Sequence, residues 1–248
     1  MSDSLEGKIA VVIGGTGGIG AATSRRFADA GARVVVAGRT VESALEAVAT
    51  LPGSGHFAAA VSITDSSTLN RLARKVADRY GHADVLFNAA GFTKPIPHAD
   101  LDALTDELID DIMQVNWRAQ FAAVRAFRAL LDKSGAGLIV NVSSISGSNG
   151  IGSNIAYCAA KAGLDVMTMS LARVLAPRVR ILNVSPGVVD TGFVPGRSAD
   201  FNDKVASTTP LQRIGSAEDI AQAIEACATQ LTFSTGTTIV VDGGRRLG

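Results

Sequence analysis

VVIGGTGGIGAAT, residues 11–23, decides the fold. A β-branched apolar run enters a turn with five glycines in seven positions, 14–20, and leaves it as an alanine-rich helical pattern that stops near Gly31. Glycines at such a turn let the backbone approach a pyrophosphate, whose charge the helix N-terminus stabilises. Two registers fit the letters. Gly15, Gly17 and Gly20 satisfy G-x-G-x-x-G, while Gly14, Gly18 and Gly20 satisfy G-x-x-x-G-x-G. No Gly-Lys-Ser/Thr ends the loop, which disfavours an ATP-type phosphate loop.

Outward from this turn the same rhythm repeats. KIAVVIGG, RVVVAGR, HFAAAVSI, ADVLFNAAG, GLIVNVSS, RVRILNVSPG and TIVVDGG read as strands that end in glycine or polar residues. Continuous apolar runs without in/out alternation mark strands covered on both faces. Helical patterns lie between them, among them SSTLNRLARKVADRYG, which opens on Ser or Thr and stops at Gly81. The alternation predicts an α/β fold: a single Rossmann-type domain over residues 1–248, with a doubly wound parallel sheet of about seven strands and helices on both faces. Residues 191–210 break the rhythm with a polar, glycine- and proline-containing stretch, read as a substrate lid. DLDALTDELIDD reads as an acidic amphipathic helix with a solvated face.

Composition narrows the function classes. The chain has 248 residues, 47% hydrophobic, with formal net charge zero. That balance argues against a nucleic-acid partner. No apolar run approaches the roughly 20 residues of a membrane-spanning helix. The first residues lack a basic, then apolar, then cleavable pattern, so the expected compartment is the cytoplasm. Cys158 and Cys227 form neither a metal spacing nor a disulfide framework and read as buried thiols. His56, His82 and His98 are scattered, so no metal site is expected.

The end of the second strand addresses which nucleotide is held. A carboxylate there would bind the ribose hydroxyls of NAD. Gly38 occupies that place and Arg39 follows it. A guanidinium can hold a 2′-phosphate that a carboxylate would repel, so the pair favours NADP over NAD. Farther on, Tyr157 and Lys161 share a helix face, and an ammonium near a phenol favours the phenolate. Ser144 ends a strand beside the same crevice.

With these motifs assembled, the chain resembles the short-chain dehydrogenase/reductase family over nearly all its length. The family's T-G-x-x-x-G-x-G motif fixes the register on Gly14, Gly18 and Gly20, with Ile13 in place of the threonine. N-N-A-G appears as Asn88, Ala89, Ala90 and Gly91. Asn116 matches the family's helix asparagine, and Ser144, Tyr157 and Lys161 match its Ser and Tyr-x-x-x-Lys signature. Pro186 and Gly187 match the P-G motif, which implies nicotinamide contacts through Val189 and Thr191. Thr16, Ile19 and Arg39 join the implied dinucleotide contacts. Ser62 stands where the family commonly has an adenine-facing aspartate, with Ile63 beside it.

The resemblance implies hydride transfer between NADPH and a carbonyl carbon, Ser144 holding the oxygen and Tyr157 giving it a proton. Lys161 would lower the tyrosine pKa and hold the nicotinamide ribose, while Asn116 would position a water. Ser144, Ser146, Tyr157 and Phe193 are the implied substrate contacts. In length, strand end and tail the chain is most similar to 3-oxoacyl-[acyl-carrier-protein] reductases, which implies a small-molecule carbonyl or alcohol substrate, carrier-linked in that group, and a homotetramer. Arg178 matches one carrier-docking position, and Gly135 stands at the other. A reductase of a free small alcohol, ketone or sugar is the alternative. A non-catalytic dinucleotide sensor is a further one, disfavoured because the catalytic set is complete.

Overall fold

Seven apolar runs form seven parallel strands: β1 Ile9–Ile13, β2 Arg33–Gly38, β3 Phe57–Ala60, β4 Val85–Asn88, β5 Gly137–Val142, β6 Val179–Pro186 and β7 Thr238–Val241. Nine α-helices among the described residues link them: α1 Gly18–Asp29, α2 Val41–Ala49, α3 Ser66–Tyr80, α4 Asp106–Met113, α5 Ala119–Lys133, α6 Ser146–Asn149, α7 Ile155–Leu175, α8 Phe201–Ser207 and α9 Ala217–Thr229. The computed structural model describes residues 4–196, 198 and 200–247. Sheet order is β3-β2-β1-β4-β5-β6-β7, so the direction of winding reverses between β1 and β4. Ligands of open α/β sheets bind at that reversal, beyond the carboxyl ends of the strands. The expected doubly wound architecture is present.

Both faces of the sheet are buried, which is why its strands read as unbroken apolar runs. Ile9, Val11 and Ile13 of β1 face a core closed by Leu72 and Val76 of α3 and Phe127 and Leu131 of α5. Ala10 and Val12 face the opposite core, closed by Phe27 of α1 and by Ile220 and Ile224 of α9. Each fully buried side chain of this size contributes about 1.5–3 kcal/mol.

Helix α3 opens on Ser66 and stops at Gly81 as the sequence suggests, with Asp65 as its cap accepting the Ser67 N–H at 2.8 Å. One helix start differs from the sequence reading. The acidic helix begins only at Asp106, because Thr105 supplies its cap and residues 100–104 turn instead. Lid residues 197 and 199 lie outside the described residues. Among the described residues no helix is long and apolar enough to cross a membrane.

A polar row crosses the interior of the sheet. Asn88, Asn141 and Asn183 stand in register on β4, β5 and β6, with Thr238 beside them on β7. Asn88 Nδ2 donates to Asn141 Oδ1 at 2.8 Å, and Asn141 Nδ2 to Asn183 Oδ1 at 3.1 Å. Asn183 Nδ2 donates to Asp165 Oδ1 of α7 at 2.7 Å, and Thr168 of the same helix donates to Asn183 Oδ1 at 2.8 Å. All three asparagines are buried. The ladder fastens α7 to the sheet one turn beyond Lys161.

Candidate active site

The glycine turn fits a dinucleotide phosphate. Gly17 caps α1 without a side-chain oxygen, so the first-turn N–H groups have no side-chain acceptor. Space around the Gly17 Cα is open, with nothing within 4 Å of an added Cβ. Gly20 packs so tightly that an added Cβ would meet the Gly14 carbonyl oxygen at 2.0 Å. Gly14, at φ +84°, abuts the backbone of Ala90 past the end of β4. The G-x-x-x-G-x-G register therefore places its first and last glycines in contact. Thr191 closes the crevice from the other side, its methyl 3.4 Å from a Cβ built on Gly18. Gly187 N–H, in the P-G segment, donates to Val241 O, and Val189 is buried where it bridges to Gly215.

At the end of β2 a Cβ on Gly38 would lie 2.5 Å from the Thr16 methyl and 3.1 Å from Ser43 Oγ. Arg39 is exposed and makes no ion pair among the described residues. Thr40 and Ser43, at the start of α2, share a hydroxyl hydrogen bond of 3.0 Å beside it. Ser62 follows β3 with its hydroxyl 3.2 Å from that of Thr64, and Ile63 packs partly buried on the α3 side.

Tyr157 and Lys161 lie in the first two turns of α7, both buried, with the Lys161 ammonium 5.5 Å from the Tyr157 ring centre. Lys161 Nζ donates to Val142 O at 2.7 Å, which ties the helix to the end of β5. Ser144 follows that strand end, its hydroxyl donating to Ser146 Oγ at 3.1 Å. Burial pushes the Tyr157 phenol well above its ordinary value, while the Ser144 hydroxyl pulls it down and the Cys158 thiol adds to the rise. Burial also lowers Lys161 to about 8, opposed by the Asp165 carboxylate. In the protein without a bound dinucleotide, burial outweighs the Ser144 contribution at Tyr157 and disfavours the charged forms of both groups.

Asn116 sits in a π-helical segment, Gln114–Arg118, between α4 and α5. Such bulges recur at functional sites. Its amide donates to Phe92 O at 2.7 Å and Ile112 O at 2.9 Å, and its Oδ1 accepts the Phe92 N–H at 3.3 Å. The asparagine thus pins the chain just past Gly91. Asn88, read from the sequence with the dinucleotide contacts, turns its side chain into the sheet ladder, and its Oδ1 has no partner among the described residues. Ala89 and Ala90 form the backbone past β4, with Ala89 N–H donating to Ile13 O and Ala90 O accepting Gln120 Nε2. Phe193, from the lid stretch, lies over Gly91 and holds its ring 6.1 Å from that of Tyr157.

Other residues singled out in the sequence stay apart from this crevice. His56 accepts the Val34 N–H and reaches Pro52 O, and His82 pairs with Asp84. Both cysteines are buried, which raises their thiols, Cys227 to about 11. Trp117 packs against Gly163 of α7. Sequence reasoning missed Asn154, which caps α7 and touches the loop after β4, and it missed the asparagine ladder.

The family model for short chain dehydrogenases matches residues 8–201. "Granaticin polyketide synthase putative ketoacyl reductase 2" of Streptomyces violaceoruber is 38% identical, covering 99% of both chains. The 3-oxoacyl-[acyl-carrier-protein] reductase FabG of Escherichia coli K12 is 32% identical, covering 97% of this chain and 98% of its own. A crystal structure of a putative short-chain dehydrogenase/reductase from Burkholderia xenovorans superposes with a TM-score of 0.90 at 30% identity, covering 98% of this chain and 99% of that one. The chain belongs to the short-chain dehydrogenase/reductase family and is an oxidoreductase of the type that works with a nicotinamide dinucleotide.

Proposed function

We propose that the protein transfers hydride between NADP and a carbonyl or secondary alcohol, with a 3-oxoacyl thioester as substrate. The carrying observation is the buried Tyr157–Lys161 pair, with Ser144 beside it, at the carboxyl end of the sheet. A bound nicotinamide dinucleotide supplies the hydride. Ser144 donates a hydrogen bond to the carbonyl oxygen, where negative charge develops. Tyr157 gives that oxygen a proton, and burial keeps the phenol protonated and ready to donate. Lys161, charged at neutral pH with a value of about 8, stabilises the phenolate left behind and orients the nicotinamide ribose. Asn116 has committed its amide donors, so it positions the reprotonating water through acceptor atoms.

Gly14, Thr16, Gly18, Ile19 and Gly20 hold the pyrophosphate side. Ser62, Ile63 and the backbone of residues 88–91 line the adenine and ribose, while Pro186, Gly187, Val189 and Thr191 meet the nicotinamide. Arg39, free of an ion pair among the described residues and next to the Thr40 and Ser43 hydroxyls, supports a 2′-phosphate there. Residues 191–210 act as the lid, with Phe193 and Ser146 against the substrate. The exposed apolar face of α5 and α7, with Phe121, Val166, Met169 and Val174, supports a homotetramer. Light scattering that returned a monomer mass would refute it.

The ketoacyl relatives support the thioester reading. Two features favour a second one, an uncharged ketone or alcohol. Arg178 is already paired with Asp132, Nε to Oδ1 at 2.7 Å, which leaves it less able to meet an acidic carrier. Beside Gly91 the rings of Phe92 and Phe193 are exposed. Oxidation of NADPH and of NADH, each with acetoacetyl-CoA and with cyclohexanone, separates these readings. The expected result is thioester turnover at least about tenfold better with NADPH, a preference of roughly 1.4 kcal/mol. Faster turnover with NADH would remove the Arg39 argument. Turnover of cyclohexanone alone would select the second reading, and bound NADPH without turnover would select a sensor.

A further inference from the structure

The first turn of a helix leaves its N–H groups without helical partners. At α7 one of these belongs to Tyr157 itself, and Asn154 Oδ1 accepts it at 2.7 Å. The same buried side chain faces the other way with its amide hydrogens. Nδ2 donates to Lys94 O at 2.8 Å and to Thr93 Oγ1 at 3.3 Å. Asn154 therefore joins the tyrosine's own backbone to the loop that leaves β4 past Gly91.

The rest of that loop is aligned on the same segment. Ile96 N–H donates to Ser153 O at 2.7 Å, the Thr93 and Ser153 hydroxyls share a hydrogen bond, and His98 Nε2 lies 3.2 Å from Gly152 O. Upstream, both backbone polar groups of Phe92 are held by Asn116. One hydrogen-bonded path runs from the π-helical bulge through Phe92, Thr93 and Lys94 to Asn154 and Tyr157. A plain helix cap needs only the acceptor atom. Here the donor atom is also spent, inside the protein, on the loop that follows β4.

We propose that Asn154 is a positioning residue for the reaction, setting the distance between the loop after β4 and the phenol of Tyr157. The proposal rests on the assignment of Tyr157 as proton donor. A misplacement of about 1 Å can cost on the order of 100-fold in rate. Serine separates the two halves of the side chain. It caps helices about as well as asparagine, yet it is too short to reach Lys94 O while doing so.

Asn154→Ser and Asn154→Ala are read by thermal unfolding, by kcat and KM for NADPH with acetoacetyl-CoA, and by phenol titration in a Tyr80→Phe background. The chain has two tyrosines, so that background leaves Tyr157 as the single phenol. Asn154→Ser is expected to unfold near the parent temperature, with kcat reduced about 10- to 100-fold. Its phenol should titrate lower than in the parent, toward the ordinary value of about 10, as the loosened turn admits water. Asn154→Ala should add a loss of stability to the same kinetic defect. If serine restores both stability and kcat, Asn154 is a cap only and the proposal is overturned. If alanine does not fold, the serine variant alone decides. The titration needs neither cofactor nor substrate, so it tests the positioning even if acetoacetyl-CoA is not turned over.

Discussion

Tyr157→Phe is expected to lower kcat by about 1,000-fold or more while leaving the dinucleotide Kd within a small factor of the parent. The substitution removes one oxygen and keeps a ring of the same shape, so the packing of Tyr157 against Ile112 and Ala160 survives. Lost with the oxygen is the group proposed to pass a proton to the substrate. Ser144 keeps its hydrogen bonds with Ser146 but has no base of its own among them. Single-turnover nicotinamide absorbance gives the rate, and fluorescence titration gives the affinity. Turnover within tenfold of the parent would remove Tyr157 from the mechanism. A large loss of affinity instead would make the phenol part of the binding site more than of the chemistry.

Asn141→Ala carries the largest expected effect on stability. Asn141 is fully buried and occupies the middle of the ladder, accepting from Asn88 and donating to Asn183 and Thr168. Truncation strands the Asn88 amide, and each buried polar group left without a partner costs about 1–3 kcal/mol. With the cavity added, a loss of about 3–4 kcal/mol is expected. For a chain of this length that corresponds to a fall of roughly 10 °C in Tm. Urea unfolding should show a lower midpoint at unchanged m. A midpoint equal to the parent would mean that the asparagines are replaceable filler. Because Thr168 and Asp165 belong to α7, the folded variant should also turn over more slowly than its residual stability alone explains.

Much of the fold and the site was legible in the sequence, for identifiable reasons. The strands stood out because burial on both faces makes each an unbroken apolar run, and the glycine turn because few other residues tolerate that backbone. The family motifs named Ser144, Tyr157 and Lys161 before any distance was known. What the chain order hides is register. Asn88, Asn141 and Asn183 each read as a polar stop at a strand end, and only the pairing of β4, β5 and β6 puts them in one row. Asn154 escapes notice in the sequence because its second partner, Lys94, is 60 residues away. Spacing likewise shows that a charge lies near Tyr157 but not the loss of water around the phenol.

The contact between Thr16 and Gly38 bears on how such a chain could change by mutation. An acid introduced at Gly38 would bring its Cβ to within 2.5 Å of the Thr16 methyl, so the glycine turn would be disturbed in the same step that supplied the carboxylate. The two positions are epistatic. A side chain at 38 requires the Thr16 methyl to turn away or a smaller residue at 16, so under the proposed NADP reading a change of nucleotide would involve both positions together.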